Sequence, residues 1–269
     1  MSEARHILSL SGGKDSAALA FYMRDKVPQM EYVFCDTNKE LPETYEYLNR
    51  IEAYLGKKII RIEATRGFDH WLTLFQGYLP SVQVRWCTTQ LKLRPFEAYV
   101  GDEAVINYVG LRSDEDRDAR VSHKPNITVV YPFKEDGIDY AGVQKILLDS
   151  AIGLPPYLEW GRSRSGCYFC FFQKPIEWVR LLENHRDLFD LAQEYENKSK
   201  DFKGGFFQWN ELMPLCELRK PENVDRIKRR HEEHRRRVWE RRPNKKLIET
   251  LGEMEEEDVG PRGCTICHL

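Results

Sequence analysis

Two sets of residues carry chemistry by type and spacing. The first is Ser11-Gly12-Gly13-Lys14-Asp15-Ser16, between an apolar run ending at Leu10 and a helical pattern from Ser16 to Arg24. Paired glycines let backbone amides turn toward an anion, and the following helix N-terminus adds partial positive charge. Lys14 can pair with phosphate, and the serine hydroxyls can donate to its oxygens. The loop lacks Walker A spacing and the dinucleotide-binding pattern. The plain alternative is a tight glycine turn capped by Asp15 or Ser16. The second set is four of the seven cysteines, arranged as two C-x-x-C pairs, Cys167/Cys170 and Cys264/Cys267. Cys35, Cys87 and Cys216 stand alone, and Cys35 and Cys216 read as packing residues. In a reducing compartment such pairs point first to metal or cluster ligation.

The surrounding elements must position these residues. Strand patterns at 7–10, 32–35, 59–62, 105–109 and 127–131 alternate with helical ones. Among the helices, Pro42 to Leu55 is the clearest: Pro42 suits a first turn, and Leu48, Ile51, Tyr54 and Leu55 share a face. This βαβ rhythm predicts a Rossmann-like α/β fold, a mostly parallel sheet with helices on both faces. Ligands of such sheets bind beyond the carboxyl ends of the strands, where the glycine loop and Asp36-Thr37 fall. The reading divides the chain into a nucleotide-binding domain over 1–135 and a helical portion over 136–269 that carries the cysteines. Within the latter, residues 226–242 hold nine Lys/Arg against three Glu, with His231, His234 and Trp239 among them. Such a helix can contact the phosphates of tRNA or DNA. It can equally be a solvated charged face, with Glu253 to Asp258 laid over it.

With 41% hydrophobic and 31% charged residues and a net charge of −2, the chain has an ordinary polar composition with no global pull toward polyanions. The run Ile7-Leu8-Ser9-Leu10 is too short for a signal peptide, and no stretch approaches a membrane span. A cytoplasmic protein without membrane contact is expected.

Several segments, in order, resemble one family. Ser11 to Ser16 resembles the PP-loop of the adenine nucleotide alpha hydrolase superfamily (HUP fold). Cys35-Asp36-Thr37 with Leu41-Pro42-Glu43-Thr44-Tyr45, then Arg85-Trp86-Cys87-Thr88-Thr89-Gln90-Leu91-Lys92, resemble its phosphoadenosine phosphosulfate reductase-like branch. So do residues 110–120, starting Gly110-Leu111-Arg112, then Tyr131-Pro132-Phe133, Leu154-Pro155-Pro156-Tyr157 and residues 164–170. The branch includes sulfonucleotide reductases, sulfate-activating adenylyltransferases and DndC-type proteins of DNA phosphorothioation.

The resemblance implies ATP with Mg²⁺ as ligand, held by Ser11, Gly12, Gly13, Lys14, Asp15, Ser16, Asp36 and Thr37. Lys14, Asp15 and Arg112 would act at the phosphates, Asp15 orienting Mg²⁺. Arg117 and Arg120 would join Arg112 in clamping an anion, unless they pair with Asp114, Glu115, Asp116 and Asp118; that pairing is the weaker alternative at Arg112. Reductases commonly lose the intact PP-loop, and this chain keeps it. That favours adenylation with pyrophosphate release, in iron–sulfur-dependent sulfur transfer to nucleic acid. A sulfur-donor protein, or a modification or defence system, would be the partner. Sulfonucleotide reduction and a nucleotide-binding subunit of a modification or defence assembly are the alternatives. Cys267-His268 at the tail only partly matches the reductases' Glu-Cys-Gly-x-His.

The cysteines leave two ligand sets open. Cys87 lies 80 positions before Cys167, as in reductase clusters, but Trp86 replaces one ligand of that pattern. Cys87, Cys167 and Cys170 could hold a [4Fe–4S] cluster with one open iron, or take a fourth ligand from Cys216, Cys264 or Cys267. Alternatively Cys167, Cys170, Cys264 and Cys267 make a Cys₄ zinc site. A third reading leaves all five without metal.

Overall fold

The computed structural model describes residues 4–115, 124–200, 208–210 and 212–240. Strand β1 (Arg5–Ser9) leads through the glycine loop into α1 (Lys14–Met23). Then follow β2 (Glu31–Asp36), α2 (Pro42–Leu55), β3 (Ile59–Glu63) and α3 (Phe68–Leu74). α2 has the bounds its sequence predicts, because both ends are local: Pro42 opens it, and Gly56 closes it in the left-handed conformation at φ 63°. A broken helix comes next: α4 (Trp86–Thr88), a π-helical turn (Thr89–Leu93) and α5 (Arg94–Val100). β4 (Val105–Tyr108) and β5 (Ile127–Val130) complete the sheet, and α6 (Pro132–Glu135) and α7 (Tyr140–Asp149) follow.

The five strands lie in the order β3-β2-β1-β4-β5, and every pairing is parallel. Side-chain alternation sorts the two faces. Leu8, Tyr32 and Phe34 pack with residues of α1, α2 and α7. Ile7, Val33 and Cys35 pack with Phe96 and Val100 of α5. The Rossmann-like expectation is met. The chain steps outward from β1 through β2 to β3, then resumes on the other side of β1 with β4. The crevice at that switch point lies beyond the ends of β1 and β4.

Beyond a 3₁₀ turn (Pro156–Leu158), the remaining elements are helical: α8 (Pro175–Asn184), α9 (Arg186–Lys200), α10 (Leu215–Leu218) and α11 (Pro221–Glu240). Their apolar faces share one core with Phe68 and Leu72 of α3 and with Trp86. Phe68 is its hub: its ring centroid lies 5.0 Å from Trp86, 4.4 Å from Phe169 and 5.2 Å from Tyr195. None of the helices among the described residues is long and apolar enough to cross a membrane.

α11 packs on α8 through a polar seam as well as an apolar one. Arg180 Nη2 lies 3.3 Å from His231 Nε2. Burial, followed by the charges of Arg180, Arg235 and Lys174, pushes the His231 pKa down to about 4. The native state therefore refuses a proton that the unfolded chain accepts near pH 6.5. Stability should be full above about pH 6.5 and fall as the pH drops toward about 4. At this part-exposed site the effect is on the order of 1 kcal/mol. Urea melts from pH 7 to 4 check it: His231→Gln should flatten that share of the slope, and an unchanged slope refutes the assignment.

Candidate active site at the switch point

The glycine loop is wired from within. Gly12 takes φ 72°. The Ser11 N–H donates to Ser16 Oγ at 3.2 Å, and that hydroxyl donates to Gly13 O at 3.1 Å. Ser16, whose hydroxyl is expected to donate to phosphate, also braces the turn. Gly13 caps α1 with extended backbone and no side-chain hydrogen bond. Lys14 is buried, with Nζ 4.6 Å from the Tyr140 ring centroid.

Gly110, just after β4, lies against the start of α1. A Cβ there would stand 2.9 Å from both the carbonyl carbon and oxygen of Asp15, and 3.1 Å from Ser16 N. These are backbone atoms and cannot swing aside. Gly110→Val should therefore displace the first turn of α1, costing about 1–3 kcal/mol and weakening any nucleotide binding at the loop. Chemical denaturation and a nucleotide titration test this together. Wild-type stability in the variant would contradict the close approach.

Arg112 lies two residues further on, and its side chain is only 6% exposed. It reaches Asp15 at 3.1 Å, Asp114 at 3.0 Å and Glu115 at 3.2 Å. The sequence favours Arg112 as an anion clamp and weighs acidic pairing chiefly for Arg117 and Arg120. The pairing is found at Arg112, because the strand end delivers it into the crevice beside the first turn of α1. Arg117 and Arg120 lie outside the described residues. So does the acidic stretch 253–258.

At the end of β2, Asp36 is buried and accepts from Asn38 N at 2.8 Å and Tyr45 Oη at 2.7 Å. Thr37 Oγ1 donates to Glu40 Oε1 at 2.9 Å and lies 3.1 Å from Cys167 Sγ. Glu40 and Cys167 also form an isolated antiparallel bridge. The first cysteine pair is thereby stitched to the strand end that the sequence assigns to nucleotide. Burial raises the Glu40 carboxyl pKa, and Asp36 adds to the rise while Lys92 opposes it. Burial also pushes the Cys167 thiol well above its usual value, with Glu40 and Cys170 adding to the shift.

Two further residues join the two halves and a third braces one of them, and the sequence does not single them out for this. Tyr157 donates its hydroxyl to Gly12 O at 3.2 Å. Ser165 Oγ would be 3.1 Å from a Cβ on Gly13. Arg162, fully buried, donates from Nε to Arg164 O at 3.2 Å and from Nη2 to Cys167 O at 3.1 Å. It is an internal strut for the cysteine loop. Each of these contacts spans either a long sequence separation or a backbone carbonyl, and neither leaves a local pattern.

Cys170 closes its turn with an N–H to Cys167 O at 3.0 Å. Cys87 is part-buried against the aromatic core. Trp86 and Phe169 both pack on Phe68 with tilted rings, so one aromatic cluster anchors the segments bearing Cys87 and Cys167/Cys170. Trp86 itself is 4% exposed and donates Nε1–H to Tyr78 O at 2.9 Å. It fills core space where the reductase pattern has a ligand. Cys35 is buried as expected, whereas Cys216 is only part-buried. Among the described residues, no three His, Cys, Asp or Glu side chains form a group that could hold a metal ion. Cys264 and Cys267 lie outside those residues.

Comparison with known proteins agrees with this layout. An uncharacterized protein of Methanocaldococcus jannaschii is 25% identical over 228 residues, covering 79% of this chain and 54% of that protein. A second from the same organism is 24% identical over 210 residues, covering 73% and 42%. An uncharacterized nin region protein of Escherichia phage lambda is 26% identical over 153 residues, covering 45% and 52%. The chain thus spans about half the length of these relatives. Among solved structures, phosphoadenylyl-sulfate reductase from Candida auris in a phosphate complex shares the fold, with TM-score 0.50 and 15% identity over 62% of this chain and 82% of that one. The model of the phosphoadenosine phosphosulfate reductase domain matches residues 5–161, more than half of the chain, and the chain belongs to that family.

Proposed function

We propose that this protein binds ATP–Mg²⁺ at the switch-point crevice and adenylates an acceptor, in sulfur transfer to nucleic acid. One observation carries the reading: the glycine loop meets the cysteine loop. Tyr157 bonds Gly12 O, Ser165 stands against Gly13, and Thr37 touches Cys167. A nucleotide phosphate and a thiol would therefore share one site.

In the reaction, an acceptor oxygen attacks the α-phosphorus of ATP. The bond to the β-phosphate breaks, and pyrophosphate leaves. Hydrosulfide from a sulfide donor then attacks the adenylated carbon, the C–O bond to AMP breaks, and AMP leaves. The loop amides and Lys14 would stabilise charge as it develops on the leaving pyrophosphate. Mg²⁺, when bound, would neutralise part of that charge, with Asp15 oriented toward it by Arg112. Arg112, tied to three carboxylates, acts here as a positioning residue. Pyrophosphate release from ATP in the presence of an RNA or DNA acceptor tests the reading, and its absence with every acceptor tried refutes it.

The match to the reductase family supports a second reading, sulfonucleotide reduction. Sulfite formed from phosphoadenosine or adenosine phosphosulfate, without pyrophosphate, would establish it.

For a metal, the described residues offer Cys167 and Cys170 but no assembled third ligand. Metal and acid-labile sulfide analysis of anaerobically purified protein separates the two ligand sets. Iron lost on Cys87→Ala assigns Cys87 to a cluster. Zinc retained in that variant but lost on Cys264→Ser assigns the tail pair. Neither metal at near-stoichiometric level returns all five cysteines to thiol roles.

A further inference from the structure

The residues beside the cysteine loop form a cluster that core packing does not explain. The Phe172 ring centroid lies 5.0 Å from the Arg85 guanidinium carbon and 5.5 Å from that of Arg164. Phe171 stands 4.4 Å from Phe172 with 37° between the rings. All four side chains are part-exposed. Phe171 packs partly on the aromatic core; Phe172 belongs to none of the three cores among the described residues. Arg85 is two residues from Cys87, and Phe171 directly follows Cys170.

Positive charge continues from this cluster along the seam between α8 and α11. Arg164 is near enough to Lys174 to oppose its protonation, as is Arg180. Together with burial, the largest cause, they bring the Lys174 pKa down to about 8 against the opposing pull of the Glu177 carboxylate. Arg180 donates to Gly161 O at 2.7 Å and meets His231 at 3.3 Å. Its seat is kept open by Gly161, at φ 86°, where a Cβ would stand 2.6 Å from the guanidinium. Arg235 lies one turn beyond His231 and opposes the charge of both Arg180 and His231. Two carboxylates near this line are already engaged. Glu177 accepts from Ser163 N, Ser163 Oγ and Lys174 N, and Glu183 pairs with Lys228.

We propose that this line, from Arg85, Phe172 and Arg164 past Lys174 to Arg180 and Arg235, is the docking track for a single-stranded polynucleotide. The inference rests on the reading that the acceptor is nucleic acid, and it names the strand state and the surface. Cations spaced along a seam suit successive phosphates. A part-exposed aromatic flanked by guanidinia suits an unstacked base, which a duplex does not offer. An acidic peptide would satisfy the cations but leave the aromatic pair without a planar partner.

The test uses the full-length protein without nucleotide. Fluorescence anisotropy compares labelled oligo(U), oligo(dT), a duplex of equal length and polyglutamate across roughly 50–200 mM salt. A single strand should bind more tightly than duplex or polyglutamate, and the ratio of oligo(U) to oligo(dT) identifies the sugar preferred. Joint replacement of Arg85→Gln and Arg235→Gln should weaken binding and reduce the salt slope by about 0.7 per lost phosphate contact. Phe172→Leu should weaken binding roughly tenfold with the slope unchanged. Thermal melts confirm that the variants fold. The track is overturned if single strands do not bind, if duplex or polyglutamate binds more tightly, or if folded variants match the wild type. ATP–Mg²⁺ affinity is measured on the same preparations. A wild-type protein that binds ATP but no oligonucleotide refutes the track alone; one that binds oligonucleotide but not ATP refutes the adenylation reading alone.

Discussion

Lys14→Met is expected to lower pyrophosphate release by about 10²–10³-fold, the usual cost of removing one donor from a charged transition state. Lys14 is the first residue of α1 and is buried, with its ammonium over Tyr140. A cation held there adds to the partial positive charge of the helix N-terminus, so a phosphate bound at the loop would meet both. Methionine keeps most of the buried hydrocarbon, so the melting temperature should move little while turnover collapses. Lys14→Arg is not a rescue: a planar guanidinium is a different shape from a compact ammonium, and the Arg112 guanidinium already lies 5.4 Å from the Tyr140 ring centroid. Rapid-quench measurement of pyrophosphate, with equilibrium ATP binding alongside, decides the matter. Turnover within about threefold of wild type in a folded Lys14→Met protein would remove Lys14 from the chemistry.

How much of this was legible in the sequence depended on distance along the chain. The loop 11–16, α2 and the five strands are local signals, and each is found within a residue or two of its expected place. The end of α2 is exact because proline and glycine mark both boundaries chemically. The cluster of Thr37, Glu40 and Cys167 could not be read, since about 130 residues separate its halves and only the folded aromatic core brings them together. Ser16 has a hydroxyl that suits phosphate by type, yet geometry turns it onto Gly13 O. Trp86 reads as a missing ligand in one dimension; in three it is the side chain that packs on Phe68 and Phe75. The composition of residues 226–240 is legible as basic. Which of those cations line a seam with α8 is set by helix packing, and only the structure supplies it.

Removing the Arg112 guanidinium should be the most destabilising polar substitution at the site. Its charge is shared by Asp15, Asp114 and Glu115, whose side chains are 15%, 31% and 13% exposed. Arg112→Met keeps volume but takes away the cation common to three carboxylates. Breaking a buried ion pair from one side typically costs about 3–5 kcal/mol, because the remaining charges keep their desolvation penalty without the compensating partner. Asp114, the most exposed of the three, should contribute least; Asp15 and Glu115 should contribute most. A double-mutant cycle separates this from simple loss of packing. If the interaction with Asp15 carries the effect, Arg112→Met should cost markedly less in an Asp15→Asn background than in the wild type. The same cycle read by ATP affinity reports on positioning: both single variants should weaken ATP–Mg²⁺ binding, and the double variant should weaken it by less than the product of the two. Full additivity in both stability and affinity would mean that Arg112 and Asp15 act separately. Arg112 would then be a packing residue of the β4 end, with no part in setting the first turn of α1.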